Sequence, residues 1–268
     1  MVKIERGYVN EKKVRLAYID FGGSGDTVVL LHGLMSRATS WYEVALWLRE
    51  SYHVIAFDQR GHGRSEKPDS DYSRDIMIED IAIAMNELGI HNSIVIGHSM
   101  GGSIAWGLAV LYPHLVKALI IEDKSAQAAP MEALDEWEKF FTSWPVPFSC
   151  LKEARLFFGN LHPTYADHFI ELLEEKEFGY YPIFKFQHLL KILSLSFGKS
   201  KWEELEQIKC PTMIIKGGSS QFDREHAEKM SKIIKNCQLI EIPDAGHVVH
   251  DDQPELYKVA VTNFLTKV

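Results

Sequence analysis

Cysteine is scarce in this chain of 268 residues, and long hydrophobic runs are missing. Cys150, Cys210 and Cys237 are widely separated and show no C-x-x-C spacing, so neither a disulfide framework nor a zinc site is indicated. No apolar run approaches the roughly 18 residues of a membrane span, and the N-terminus lacks the apolar segment of a signal peptide. We therefore expect a protein of the reducing cytoplasm without membrane association.

An excess of positive charge is also missing. The chain carries 29 lysine and arginine residues against 37 aspartate and glutamate residues, for a formal net charge of −8 with no basic stripe. A nucleic-acid partner is therefore not expected. No G-x-G-x-x-G follows a strand-like run, and His, Cys and carboxylate residues form no cluster with ligand spacing. We predict no cofactor and no metal.

Apolar runs that suit buried strands alternate with segments of helical periodicity. Nearly continuous Val, Ile and Leu runs are typical of strands buried on both faces, so the pattern predicts an α/β fold with a parallel sheet between helices. An N-terminal hairpin with its turn near Asn10 adds antiparallel strands at one edge. Strands are predicted at 27–33, 53–59, 93–99, 116–123, 212–218 and 237–243, and helices at 38–50, 74–88, 100–112, 223–235 and 252–266.

One stretch interrupts this alternation. Residues 125–198 are rich in aromatic residues and helical in pattern, with no convincing central strand. We interpret them as a helical insertion, so that 1–124 and 199–268 form one core domain. Aromatic residues at helical spacing suit either a small core of the insertion itself or the roof of a pocket. The candidates for such a roof are Trp137, Trp144 and Phe148.

The pentapeptide GHSMG at residues 97–101 carries the strongest chemical signal. A strand-like SIVI precedes it and a helix of small residues follows, so Ser99 falls at a strand-to-helix turn. A serine at such a sharp turn projects its hydroxyl above the sheet edge, and the neighbouring glycines leave room for the tight backbone. The helix that begins there directs free N–H groups towards any oxyanion formed nearby. The pattern therefore predicts a nucleophilic serine.

Four blocks in order carry a wider resemblance: LLHGL, FDQRGHGRS, GHSMGG and PDAGHVVHDDQPE. With them the sequence resembles the α/β-hydrolase fold family over essentially its whole length. The resemblance implies a mostly parallel sheet of about eight strands with helices on both faces. It also implies that the insertion 125–198 is the helical cap of the family, inserted after the sixth strand and lying over the active site.

The same resemblance assigns roles to individual residues. It implies that Ser99 is the nucleophile and that His247, in the sequence AGH, is the general base. The backbone N–H groups of Leu34 and Met100 would form the oxyanion hole. His250 would rival His247 as the base only if the GH match were misleading.

The carboxylate that orients the histidine is not at its usual place. In this family it follows the glycine corresponding to Gly217 by three residues, and that position holds Ser220. Some members, including certain haloalkane dehalogenases, carry the acid at the end of the preceding sheet strand, which here ends in Asp123. Open parallel sheets place ligand-binding residues at such strand ends. The sequence therefore predicts a triad of Ser99, His247 and Asp123.

Three other carboxylates remain open as the acid. Glu122 differs from Asp123 by a single position. Asp223 lies directly before a helical run, where aspartate is favoured as an N-cap. Asp244 lies three residues before His247 and suits a turn.

The predicted activity is that of a serine hydrolase. Such a triad would cleave a small, mostly apolar ester through an acyl-serine intermediate, as a carboxylesterase does. A serine nucleophile argues against dehalogenases and epoxide hydrolases, whose nucleophile in this fold is aspartate. A carbon–carbon hydrolase of dienoic ring-fission products and a thioesterase remain open, as does a ligand-binding receptor with little turnover. We expect a monomer or a homodimer.

Overall fold

The computed structural model of the protein describes residues 4–10, 14–161 and 166–268. The turn predicted near Asn10 falls on residues 11–13 and lies outside the described residues, although the two strands that flank it are paired. The strands are β1 Glu5–Asn10, β2 Arg15–Gly22, β3 Thr27–Leu31, β4 His53–Phe57, β5 Ser93–His98, β6 Val116–Glu122, β7 Leu173–Lys176, β8 Gly179–Pro182, β9 Thr212–Gly217 and β10 Cys237–Ile242.

Eight of these strands form one sheet in the order β1-β2-β4-β3-β5-β6-β9-β10. From β4 to β10 neighbouring strands are parallel, whereas β1 and β2 add an antiparallel edge. All six strands predicted from apolar runs are present, each one or two residues shorter than predicted. The predicted fold class, a mostly parallel sheet of about eight strands, is confirmed.

Helices cover both faces of this sheet. They are α1 Tyr42–Leu48, α2 Arg74–Glu87, α3 Met100–Leu111, α4 Ala133–Thr142, α5 Leu151–Leu161, α6 Ala166–Glu171, α7 Phe186–Ser196, α8 Trp202–Leu205, α9 Arg224–Ile233, α10 Val249–Asp252 and α11 Pro254–Leu265, with short 3₁₀ helices at Ala38–Trp41 and Pro113–Leu115. Among the described residues, no helix is both long and apolar enough to cross a bilayer.

The alternation of side chains along each strand divides the core into two layers. Val28 and Leu30 of β3 pack in one hydrophobic cluster, together with residues of α1 and α11. Val29 and Leu31 pack in the other, together with α2, α3 and the helices after β6. Because side chains of a strand point alternately to opposite faces, one apolar run serves both layers.

The insertion after β6 is not entirely helical. The strands β7 and β8 form a separate two-stranded antiparallel sheet inside it. The prediction of a purely helical insertion misses this hairpin, although neither strand joins the central sheet. The strands are four residues long and β7 reads LEEK, so neither shows an apolar run or a clear alternation. Gly179, with a φ of 129°, allows the tight return of the chain. The division into a core and a cap at 125–198 stays a proposal.

Trp144 and Phe148 belong to the hydrophobic core of the insertion rather than to an exposed roof. They are only 4% and 0% exposed. The Trp144 indole contacts the rings of Phe158 and Phe186 edge-on, with centroids 4.6 and 5.3 Å apart. Trp137 is half-buried and packs against its neighbours in α4. For Trp144 and Phe148 the structure thus supports a small core of the insertion itself.

Gly97→Ala tests how tightly α3 lies on the sheet. An added Cβ at Gly97 would lie 2.2 Å from the carbonyl oxygen of Gly101. The two residues belong to regular elements, β5 and α3, so neither backbone can move without a substantial cost in free energy. We expect a loss of at least about 1–3 kcal/mol in the free energy of unfolding, measured by denaturant titration.

Gly159→Ala is the matched control, because a Cβ there meets nothing within 4 Å and the residue lies in α5. It should leave stability unchanged or raise it by up to about 1 kcal/mol. Equal unfolding midpoints for the two variants would contradict the close approach.

Candidate active site

Ser99 lies between the end of β5 and the first residue of α3, as the sequence predicts. Its backbone has a φ of 51° and a ψ of −115°, a conformation that few non-glycine residues adopt. The Ser99 N–H donates to the carbonyl of Glu122 at 2.9 Å, which ties the turn to β6. The strained turn therefore presents the hydroxyl at the carboxyl edge of the sheet.

Glycines at this turn are required by close backbone contacts. A Cβ at Gly101 would lie 2.2 Å from the carbonyl oxygen of Leu31. A Cβ at Gly33 would lie 2.8 Å from His98 Nδ1 and 3.3 Å from Ser99 Cβ. The loop after β3 thus passes directly against the serine.

The structure brings Ser99, His247 and Asp123 together. His247 Nε2 lies 2.9 Å from Ser99 Oγ, and His247 Nδ1 lies 2.7 Å from Asp123 Oδ2. The imidazole can accept the serine proton at one nitrogen only if the other nitrogen carries a proton for the carboxylate. The His247 side chain is 50% exposed, whereas that of Asp123 is fully buried. This arrangement has the connections of a nucleophile, a general base and an orienting acid.

Ser220 occupies the family's usual acid position and supports the acid at Asp123. The Ser220 hydroxyl donates to Asp123 Oδ1 at 2.8 Å, and the Gly217 N–H donates to the same oxygen at 2.9 Å. Asp123 itself has a φ of 46°, so its side chain leaves the strand in a direction that regular β geometry does not provide. The Ser220 hydroxyl thus stabilises the Asp123 carboxylate at the end of the neighbouring strand. The sequence analysis missed this bond.

The other candidate carboxylates have different partners. Asp223 caps α9, with Oδ1 accepting from the His226 N–H at 3.0 Å. Asp244 is exposed and has a φ of 57°, as a turn residue does. Glu122 is buried and accepts from Nδ1 of His250 at 2.8 Å. None of these contacts reaches His247.

Buried histidines hold the loop that carries His247. His98 Nε2 contacts the His247 carbonyl oxygen at 2.8 Å, and burial lowers the pKa of His98 to about 3. The neutral His98 ring therefore donates its Nε2 proton to that carbonyl. Burial disfavours a charge on His250, but the Glu122 carboxylate outweighs it and raises the pKa of His250. The Glu122–His250 pair, which the sequence analysis also missed, thus anchors the chain three residues beyond His247.

The two residues predicted to form an oxyanion hole, Met100 and Leu34, lie in segments next to Ser99, and their role stays a prediction. Met100 begins α3, and the first amides of a helix have no partner within it. Leu34 follows Gly33 in the loop that passes against Ser99. His32 stabilises this loop, because its Nε2 accepts from the Gln59 N–H at 3.0 Å while Nδ1 contacts the Gly33 carbonyl at 2.7 Å. Burial lowers the pKa of His32 to about 4, so it is neutral and structural.

A sequence profile of the Alpha/beta hydrolase family matches residues 28–258. The chain belongs to the alpha/beta hydrolase family. The resemblance drawn from the four sequence blocks is thereby confirmed.

Relatives in this family differ in the substrates that their names state. The chain is 27% identical to a 2-(acetamidomethylene)succinate hydrolase of Mesorhizobium japonicum over 91% of this chain and 89% of the relative. It is 28% identical to an sn-1-specific diacylglycerol lipase of Mus musculus over 89% of this chain and 80% of the relative. The crystal structure of E-2-(acetamidomethylene)succinate hydrolase has a TM-score of 0.88 at 24% identity and covers 98% of this chain and 100% of its own. These similarities establish an alpha/beta hydrolase and its fold, but not the substrate.

Asp123→Asn tests the assignment of the acid. The change keeps the shape of the side chain but removes the charge that stabilises the imidazolium, so we expect turnover to fall about 10³- to 10⁴-fold. Asp223→Asn is the matched control, because asparagine caps a helix about as well as aspartate. The kcat of the control should stay within about twofold of wild type. If Asp223→Asn lowered turnover more than Asp123→Asn, the acid would be Asp223, in the loop after β9.

Asp123→Asn combined with Ser220→Asp tests whether either strand end can supply the acid. The Ser220 hydroxyl already lies 2.8 Å from Asp123 Oδ1, so a carboxylate at position 220 begins close to the vacated charge. We expect it to recover part of the turnover lost in Asp123→Asn, by about tenfold or more. Ser220→Glu in the Asp123→Asn background is the control, because it adds the same charge on a side chain that is one methylene longer. No recovery of turnover in the double variant with Ser220→Asp would show that a carboxylate at position 220 cannot orient His247.

Proposed function

We propose that this protein is a serine hydrolase that cleaves a small, mostly apolar ester through an acyl-serine intermediate, as carboxylesterases do. The observation that carries the proposal is the continuous chain of contacts from Asp123 Oδ2 through His247 to Ser99 Oγ, at 2.7 and 2.9 Å. Hydrogen-bond contact between nucleophile, base and orienting acid is the arrangement that acyl transfer requires.

The geometry supports a two-step reaction. His247 Nε2 removes the Ser99 proton as Oγ attacks the acyl carbon, and the N–H groups of Leu34 and Met100 bind the oxyanion that develops. His247 then donates this proton to the leaving alcohol, which departs and leaves an acyl-serine. In the second step His247 removes a proton from water, the hydroxide attacks the acyl carbon, and the proton returns to Ser99 as the acid is released. Asp123 retains its charge throughout and stabilises the imidazolium.

An apolar substrate is favoured by the insertion after β6, which we propose to be the cap over the active site. Its helices bury a continuous cluster of aromatic rings, and the half-buried members of that cluster include Phe140, Phe157 and Tyr180. Small-molecule pockets are lined mostly by such side chains with a few fixed polar groups. The acyl group of the substrate would contact this apolar surface.

The names of the relatives keep a second substrate class open. One relative is named for a succinate derivative rather than for an ester, and the same triad can serve carbon–carbon hydrolysis of dienoic ring-fission products. A thioester is a third substrate that the same steps would cleave. A receptor, the alternative of another class, would bind its ligand in the same pocket but would hydrolyse it slowly.

Ser99→Ala tests the nucleophile, with hydrolysis of p-nitrophenyl esters of increasing acyl chain length as the measurement. Loss of the hydroxyl should lower kcat at least about 10³-fold without lowering the melting temperature. Ser51→Ala, at an exposed position before β4, is the control and should match wild type. Ester hydrolysis in Ser99→Ala within tenfold of wild type would overturn the proposal. If the wild-type protein hydrolysed a dienoic ring-fission product but none of the esters, its substrate would belong to the second class.

A further inference from the structure

A cleft of about 710 Å³ lies between the N-terminal hairpin and the hairpin of the insertion. Residues of β1 and β2 line one side, and residues of β7 together with those that follow β8 line the other. None of the proposed triad residues lies in its walls. The volume is within the range of sites that bind small molecules.

The lining of this cleft is basic, although the chain as a whole has a net charge of −8. Two carboxylates, Asp58 and Glu174, face a larger number of cationic side chains. Clefts lined by charge of one sign concentrate ligands of the opposite sign. The six cationic residues of the lining are Arg6, Arg37, Arg64, Lys67, Lys176 and Lys185.

Two of these cations, Arg6 and Arg64, are exposed and form no ion pair in the part of the chain that the structure describes. Lys67 donates to two backbone carbonyl oxygens, at 2.7 and 3.0 Å, and is attracted by the carboxylates of Asp58 and Glu174. Burial nevertheless lowers the pKa of Lys67, because its ammonium group has lost part of its water. A bound anion would stabilise the Lys67 ammonium group and attract the two exposed guanidinium groups.

Two further polar atoms at the cleft are buried without a partner. Arg37 Nε and Thr39 Oγ1 have no hydrogen bond within the described residues. Buried donors without acceptors are rare and destabilising. Because both atoms are enclosed by the protein, they would gain hydrogen bonds only if these side chains turned towards a ligand in the cleft.

The two carboxylates of the lining are already engaged. Asp58 accepts from the backbone N–H groups of Ala38 and Arg64, at 2.6 and 2.8 Å. It therefore fixes the two loops that present Arg37 and Arg64. Glu174 pairs with Lys176 at 2.7 Å. Both carboxylates attract the Lys67 ammonium group, but neither forms an ion pair with Arg6 or Arg64 among the described residues.

We propose that this cleft binds a phosphorylated ligand with two or more negative charges, of the diphosphate class. Guanidinium groups bind phosphate oxygens through paired hydrogen bonds, which suits the exposed Arg6 and Arg64, whereas Arg37 already pairs with Glu171 at 3.5 Å. The site goes beyond the proposed hydrolase activity and does not depend on it. Arg37 follows Leu34 by three residues, so the ligand would contact the segment that carries a proposed oxyanion-hole N–H.

Isothermal titration calorimetry with inorganic diphosphate at low ionic strength tests the site. Wild type should bind, and Arg6→Gln combined with Arg64→Gln should weaken binding at least tenfold. Lys232→Gln combined with Lys235→Gln removes the same charge at exposed positions near the end of α9, and its affinity should stay within twofold of wild type. Melting curves of both double variants should match wild type, which separates loss of binding from loss of folding.

Titration with adenosine diphosphate distinguishes two sources of the ligand. An affinity at least tenfold above that of inorganic diphosphate supports a nucleotide, and an equal affinity supports a free phosphate compound. Absence of wild-type binding, or equal weakening in the two double variants, would overturn the proposal. Calorimetry measures binding rather than turnover, so failure of the hydrolase assignment would leave this result unaffected.

Discussion

The buried carboxylate of Asp123 is the contact that joins the separate segments of the candidate site. Its Oδ1 accepts from the Gly217 N–H and the Ser220 hydroxyl, and its Oδ2 contacts His247 at 2.7 Å. Its own backbone N–H donates to the Ile215 carbonyl at 2.8 Å. A buried charge is stable only when hydrogen bonds replace its lost water. The end of β9 and the loop after β10 must therefore lie in place before this carboxylate can be buried, and the same contacts orient the imidazole.

The register of the sheet explains why the acid can lie on β6 rather than after β9. These two strands are parallel neighbours, with Glu122 opposite Ile215, so their carboxyl ends meet at one edge. The Ser220 hydroxyl donates a hydrogen bond to the Asp123 carboxylate, whereas two ionised carboxylates could form no such bond, because neither has a proton to donate. Two ionised carboxylates at 2.8 Å would repel and raise the pKa of one of them. Ser220 is thus the neutral donor that the position of Asp123 requires.

The sequence predicted those features that depend on local patterns. Apolar runs identified the six parallel strands of the large sheet, and the strand-to-helix turn indicated Ser99. The predicted residues Ser99, His247 and Asp123 do lie in contact, although their chemical roles stay a prediction. The bond from Ser220 to Asp123 and the pair of His250 with Glu122 join residues 97 and 128 positions apart, so no local pattern indicates them. The hairpin β7–β8 was not predicted, because its strands are only four residues long and the charged residues of β7 interrupt the alternation of apolar and polar side chains that indicates a strand.

The imidazole of His247 is itself half exposed, so its position depends on the backbone around it. The ring contacts Asp123 and Ser99 and lies against the ring of His98, with centroids 4.7 Å apart. The flanking chain is held more firmly, because Gly246 N–H donates to Asp252 at 2.7 Å and His98 contacts the His247 carbonyl at 2.8 Å. Beyond it, His250 is paired with Glu122 and stacks on Trp41 with ring centroids 4.2 Å apart. Consecutive carboxylates at the end of β6 thus perform different tasks. Glu122 anchors the loop from the buried side, so Asp123 can contact the half-exposed ring of His247. The proposed role of His247 as general base would require that ring to be accessible to substrate and water.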